Sequence, residues 1–163
     1  MHGRLSRRGL LLFLAPGKLR ALIVDGENDH DWPTATQAIR EILEATGRFE
    51  VRVSSSGPAA WRPPFASADV VVLNYNSGAL PTSKRWPLAV EEDFLGYLSS
   101  GGGVVIFHAA NHAFAEWPEY NQIIGLGWRD NSFGPGLIID KRGKPVLVPP
   151  PDGPRVGHGP RHD

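Results

Sequence analysis

Short unbroken apolar runs take turns along this chain with stripes of helical spacing. Lys18 to Gly26 is a run of β-forming residues closed by glycine, which suits a strand buried on both faces. Thr34 to Thr46 then places Ala35, Ala38, Ile39, Ile42 and Leu43 on one helical face, with Pro33 in the first turn and Gly47 as the stop. Phe49 to Val53 alternates apolar and polar, as a half-exposed edge strand does, and Ala68 to Asn74 is a second fully buried run. Ser54 to Ser67 between them reads as loop.

Leu88 to Ser100 carries Leu88, Val90, Phe94, Leu95 and Leu98 on a helical stripe. Gly101-Gly102-Gly103 stops that helix and turns the chain into the run Val104 to His108; the glycines precede their strand, whereas phosphate loops follow one. Trp117 to Ile124 predicts a short helix with Pro118 in its first turn, and Gly136 to Val148 a hairpin turning at Arg142-Gly143. Strands alternating with helices argue for an open, mostly parallel α/β sheet flanked by helices, with right-handed crossovers. There are no internal repeats.

Composition narrows the chemistry. Of 163 residues, 17 are Lys or Arg and 17 are Asp or Glu, so no basic field is present to recruit nucleic acid or an anionic membrane. No segment is long enough to span a membrane as a helix. The absence of cysteine removes disulfides, thiolate nucleophiles and Cys-type zinc sites together. Catalysis would fall to His, carboxylates or hydroxyls. Residues 1–18 read as an N-terminal extension in which Arg7-Arg8 before Leu10 resembles a twin-arginine export signal with a minimal apolar run. The expected location is cytoplasmic, or periplasmic if that segment is a signal. The remaining domain, 19–163, ends in a Gly/Pro-rich stretch that reads as loop or extended chain.

Ligands of open parallel sheets bind beyond the carboxyl ends of the strands, near the point where strand order reverses. Three segments qualify: Gly26 to Trp32 with Asn28, Asp29, His30 and Asp31; then Asn74, Tyr75 and Asn76; then His108, Asn111 and His112. In a flavodoxin-like order, 2-1-3-4, they converge on one rim. Each has a plainer reading. Asn28 and Asp29 could form a turn or a helix cap, Asn74 and Asn76 could satisfy backbone at a strand end, and His108 could be a core histidine. Histidine serves acid–base exchange near neutral pH or metal ligation, and the residues alone leave both open. The cluster Trp117-Pro118-Glu119-Tyr120 could stack on sugar rings or simply pack.

In this order the segments Ala21 to Trp32, Val71 to Asn76, Gly101 to Asn111, Trp117 to Asn121, Ile124-Gly125 and Gly157 to His162 resemble the ThuA-like, or trehalose-utilisation, family. The resemblance spans about Leu19 to Asp163. It implies a class I glutamine amidotransferase-like fold and a role in carbohydrate metabolism, with disaccharides or their keto derivatives as substrates. His108 occupies the region where amidotransferases of that fold keep their nucleophilic cysteine, so glutamine hydrolysis through a thiolate is excluded. Members of the family continue past the position of Asp163, and the expectation is of a partial domain.

The leading expectation is a sugar-active enzyme, of hydrolase or isomerase/lyase type, with His108 and His30 catalytic. Asn28, Asp31, Asn74, Asn76, Asn111 and His112 would bind substrate. A second form adds a divalent metal held by some of His30, His108, His158 and His162 with nearby carboxylates. A third is a non-catalytic carbohydrate-binding or interaction module, or an inactive fragment.

Overall fold

The computed structural model describes residues 17–57, 60–77, 85–129 and 133–149. The possible signal segment, His158 and His162 lie outside these residues.

Four parallel strands form the sheet: β1 (Leu19–Asp25), β2 (Phe49–Ser55), β3 (Val70–Asn74) and β4 (Gly103–Ile106), in the order β2-β1-β3-β4. That is the flavodoxin-like order, with the reversal between β1 and β3. The pleat divides the apolar runs between two cores. Leu22, Val24, Val71 and Leu73 face one, while Ala21, Ile23, Val51 and Val72 face the other. Both faces are covered, which is why β1 and β3 are apolar without alternation. On edge strand β2, Val51 is buried while Glu50 and Arg52 are exposed.

Helix α1 (Trp32–Ala45) covers the second core, setting Ile39 and Leu43 against it. It starts two residues before the apolar stripe predicts, because Asp31 caps it: Asp31 Oδ1 accepts from the Thr34 amide at 3.3 Å. Helices α2 (Leu88–Ser99) and α3 (Pro118–Ile124) belong to the first core. This core is aromatic, joining Phe65, Tyr75, Trp86, Phe94, Tyr97, Phe114, Trp117 and Tyr120. Trp86 meets Phe114 with ring centroids 4.9 Å apart. Trp117 and Tyr120 are fully buried here, so the Trp117–Tyr120 cluster packs the interior and offers no exposed platform.

Three further departures from the sequence pattern have local causes. β2 runs on to Ser55, since it pairs with β1 along its full length. The segment read as loop contains a 3₁₀ turn at Phe65–Ser67, which plugs Phe65 into the aromatic core. β4 stops at Ile106, opposite Leu73, and the chain bends into a 3₁₀ helix at His108–His112 instead of continuing extended. The hairpin forms as expected, from β5 (Gly136–Ile139) and β6 (Pro145–Val148), but as a separate antiparallel sheet. Among the described residues no helix is long and apolar enough to cross a membrane.

Candidate functional site

The loop after β1 leaves through Gly26, whose φ of +126° is costly for any side chain. A Cβ there would lie 2.0 Å from Ser56 Oγ and 2.7 Å from the Ser56 amide nitrogen. This close passage is held by Ser56 N donating to Asp25 O at 2.7 Å and Glu27 N donating to Ser56 Oγ at 3.0 Å. The loop is then joined to the end of β3. Glu27 O accepts from the amides of Asn76 and Ser77 at 3.0 and 3.1 Å. Asn28 Nδ2 donates to both the carbonyl and the side-chain oxygen of Asn74 at 3.3 Å, and Asn28 Oδ1 accepts from the His30 amide at 3.0 Å. The Asn76 side-chain amide donates to Asp29 Oδ1. Tyr75 donates its hydroxyl to Glu27 Oε2 at 3.3 Å, and burial, reinforced by the Glu27 charge, pushes the phenol pKa well above its ordinary value.

Beneath this rim lies a buried relay that the sequence reading missed. Asp25, 1% exposed, accepts the Thr36 hydroxyl through Oδ2 at 2.6 Å. Thr36 Oγ1 in turn accepts from Asn74 Nδ2 at 3.0 Å, and the same Nδ2 donates to Trp32 O at 3.1 Å. Three elements, β1, α1 and β3, are tied at one point. Asp25 Oδ1 is buried with no partner among the described residues. The available signal was Thr36 itself, a hydroxyl on the face that Ile39 and Leu43 share.

The third segment supplies the imidazoles. His108 opens its 3₁₀ helix at φ +45°, a left-handed conformation sparsely used by residues other than glycine. It is exposed, not the core histidine of the plainer reading. Its ring meets that of His30 edge to face, with centroids 4.6 Å apart and planes at 76°. His30 Nε2 also lies 3.8 Å from Asp29 Oδ1. His112 is half-buried beside Trp128, at 5.7 Å between ring centroids. Burial lowers its pKa; Asp29 opposes this, while His30, His108 and Arg129 add to it. Asn111 Oδ1 is buried without a partner among the described residues.

The structure therefore brings His30 against His108, Asn28 against Asn74, and Asp29 against Asn76 on one rim, with Asn111 and His112 on the His108 turn. Asp31 is directed instead into the cap of α1. Among the described residues no three His, Asp or Glu side chains converge closely enough to hold a metal ion. What the rim offers is a solvent-accessible pair of imidazoles on a backbone fixed by amide side chains, an arrangement suited to proton exchange.

The model of the ThuA family, described as trehalose utilisation, matches residues 20–148. The chain belongs to the ThuA family. A crystal structure of a ThuA-like protein from Parabacteroides merdae shares 36% sequence identity with it and superposes with a TM-score of 0.69 over 80% of this chain. The chain spans 47% of the length of that ThuA-like protein. No curated protein matches it. Family membership accounts for the parallel α/β fold.

Proposed function

We propose that the rim at the carboxyl ends of β1, β3 and β4 is a carbohydrate site at which His30 and His108 act as an acid–base pair on a disaccharide or its keto derivative. The observation that carries this reading is the edge-to-face contact of the two exposed imidazoles at 4.6 Å. Two rings so close can divide one reaction between them. A neutral imidazole accepts a proton from a ring hydroxyl or from carbon beside a carbonyl, while its protonated neighbour donates to the carbonyl or departing oxygen. Asp29, with Oδ1 3.8 Å from His30 Nε2, stands where it can orient that ring.

The amide side chains have a supporting part. Asn28 and Asn74 spend hydrogen bonds on each other and on backbone, so they shape the rim. Asn111 and His112, on the turn that His108 opens, are the candidates for binding hydroxyls, while Asn76, buried and donating to Asp29, supports the loop. The family's description as trehalose utilisation supports trehalose and its keto derivatives as first probes.

The test incubates the chain with each probe and follows the products, then repeats this for His30→Ala and His108→Ala. Each variant is expected to lose about 100-fold or more of its turnover while keeping a cooperative melt. Full turnover in folded His108→Ala would overturn the assignment. Stabilisation by a sugar without turnover in the unmodified chain would leave binding and remove the acid–base role.

A further inference from the structure

We propose that Arg129 is a positioning residue of this site, clamping the turn that carries His108, Asn111 and His112. The inference rests on that turn being functional, as argued above. Arg129 follows α3 and was not singled out by its sequence context. Its guanidinium reaches back to the main-chain carbonyls on either side of His112: Nη1 donates to Asn111 O at 2.6 Å and Nη2 to Ala113 O at 3.1 Å. Nε and Nη2 also donate to Asn121 Oδ1 at 3.0 and 2.5 Å, and Nη1 donates to Trp128 O at 2.8 Å.

Guanidinium has five N–H donors, and these bonds use all of them. None is left to hold a substrate, so the group acts through the turn. Asn121 is itself fixed, donating through Nδ2 to Ala115 O at 2.9 Å and Trp117 O at 3.1 Å. Tyr120 donates to Ala110 O at 2.8 Å. The turn is thus braced at the carbonyls of Ala110, Asn111 and Ala113, and only a planar fork can join Asn121 to the last two.

Gly127 supplies a second observation. A Cβ at that position would come within 2.8 Å of Arg129 Cζ, 2.9 Å of Nη1 and 2.9 Å of Ile124 Cδ1. The glycine leaves the space in which the guanidinium lies. Among the described residues no carboxylate pairs with Arg129, and its charge is felt at His112. The groups facing His112 are Asp29 and His30 from the loop after β1, His108 on its own turn, and Arg129.

The experiment uses the full chain without substrate, as Arg129→Lys, Arg129→Ala and Gly127→Ala. NMR follows the through-space contact between the His30 and His108 rings and the titration of His112, and a melt accompanies each variant. Arg129→Lys keeps the charge and loses the fork; Gly127→Ala keeps arginine and displaces it. Both are expected to lose the ring contact while still melting cooperatively, and millimolar guanidinium should restore it in Arg129→Ala. The His112 titration should move up in Arg129→Ala, toward the ordinary histidine value. Retention of the ring contact in Arg129→Lys and Gly127→Ala would overturn the proposal. So would collapse of all three melts, which would assign Arg129 to the fold as a whole. Loss of the clamp alongside an unmodified chain that turns over no sugar would remove the acid–base reading and leave the positioning role.

Discussion

His108 combines two demands that ordinarily conflict, an imidazole at the rim and a left-handed backbone at φ +45°. For most L-residues that conformation costs about 1–2 kcal/mol, whereas asparagine tolerates it by local hydrogen bonding. His108→Asn is therefore expected to melt within about 0.5 kcal/mol of the unmodified chain. Turnover should nevertheless disappear, a combination that comparison of urea midpoints with sugar assays would reveal. A large loss of stability would mean that the imidazole holds the turn. The position of His108 was legible in the sequence as the polar end of an apolar run. Its conformation was not, because no glycine marks the turn. Arg129 was illegible for a different reason: its partners are mostly main-chain carbonyls, which carry no residue signature.

At the scale of elements, alternation of apolar runs and helical stripes was enough to predict an open, mostly parallel sheet flanked by helices, since buried parallel strands and amphipathic helices differ in period, but the order of its strands comes from their pairing. Element ends were less legible. Asp31 was read as a substrate ligand, yet its carboxylate accepts from Thr34 N as the cap of α1. The signal was present, an aspartate shortly before a proline in the first helical turn. Replacing Asp31 by alanine should cost about 1 kcal/mol in a urea melt, as loss of a cap does, and leave sugar affinity unchanged. Lost affinity at full stability would return Asp31 to the substrate. The three loops of the rim were each visible as polar clusters, but their pairing through Asn28, Asn74 and Asn76 required the strand order.

For the whole molecule, two ends of the sheet respond to acid in separate windows. His112 has a depressed pKa in the folded chain, so between that value and about 6.5 the unfolded chain binds more protons. Its contribution is complete above that range and is lost as pH falls through it. At the opposite end, Arg20 holds Asp69 by a fork, with Nη2 to Oδ1 at 2.7 Å and Nε to Oδ2 at 3.1 Å, which lowers the carboxyl pKa to about 2. That support is present above the ordinary carboxylate value and fades as pH falls toward about 2, weakened throughout by solvent exposure. Melts recorded from about pH 8 to pH 2 should show both slopes. His112→Asn should flatten the upper one alone, and Asp69→Asn the lower; an unchanged upper slope in His112→Asn would refute the first assignment. The register of β1 on β3, with Asp25 opposite Asn74, has one more implication. A slip of a single residue would put Leu73 where Asn74 belongs, stripping Thr36 of its amide partner and turning the apolar set to the wrong side. A chain trapped in that state would still look helical and sheet-rich to circular dichroism, so ligand capture is the more faithful assay of correct folding.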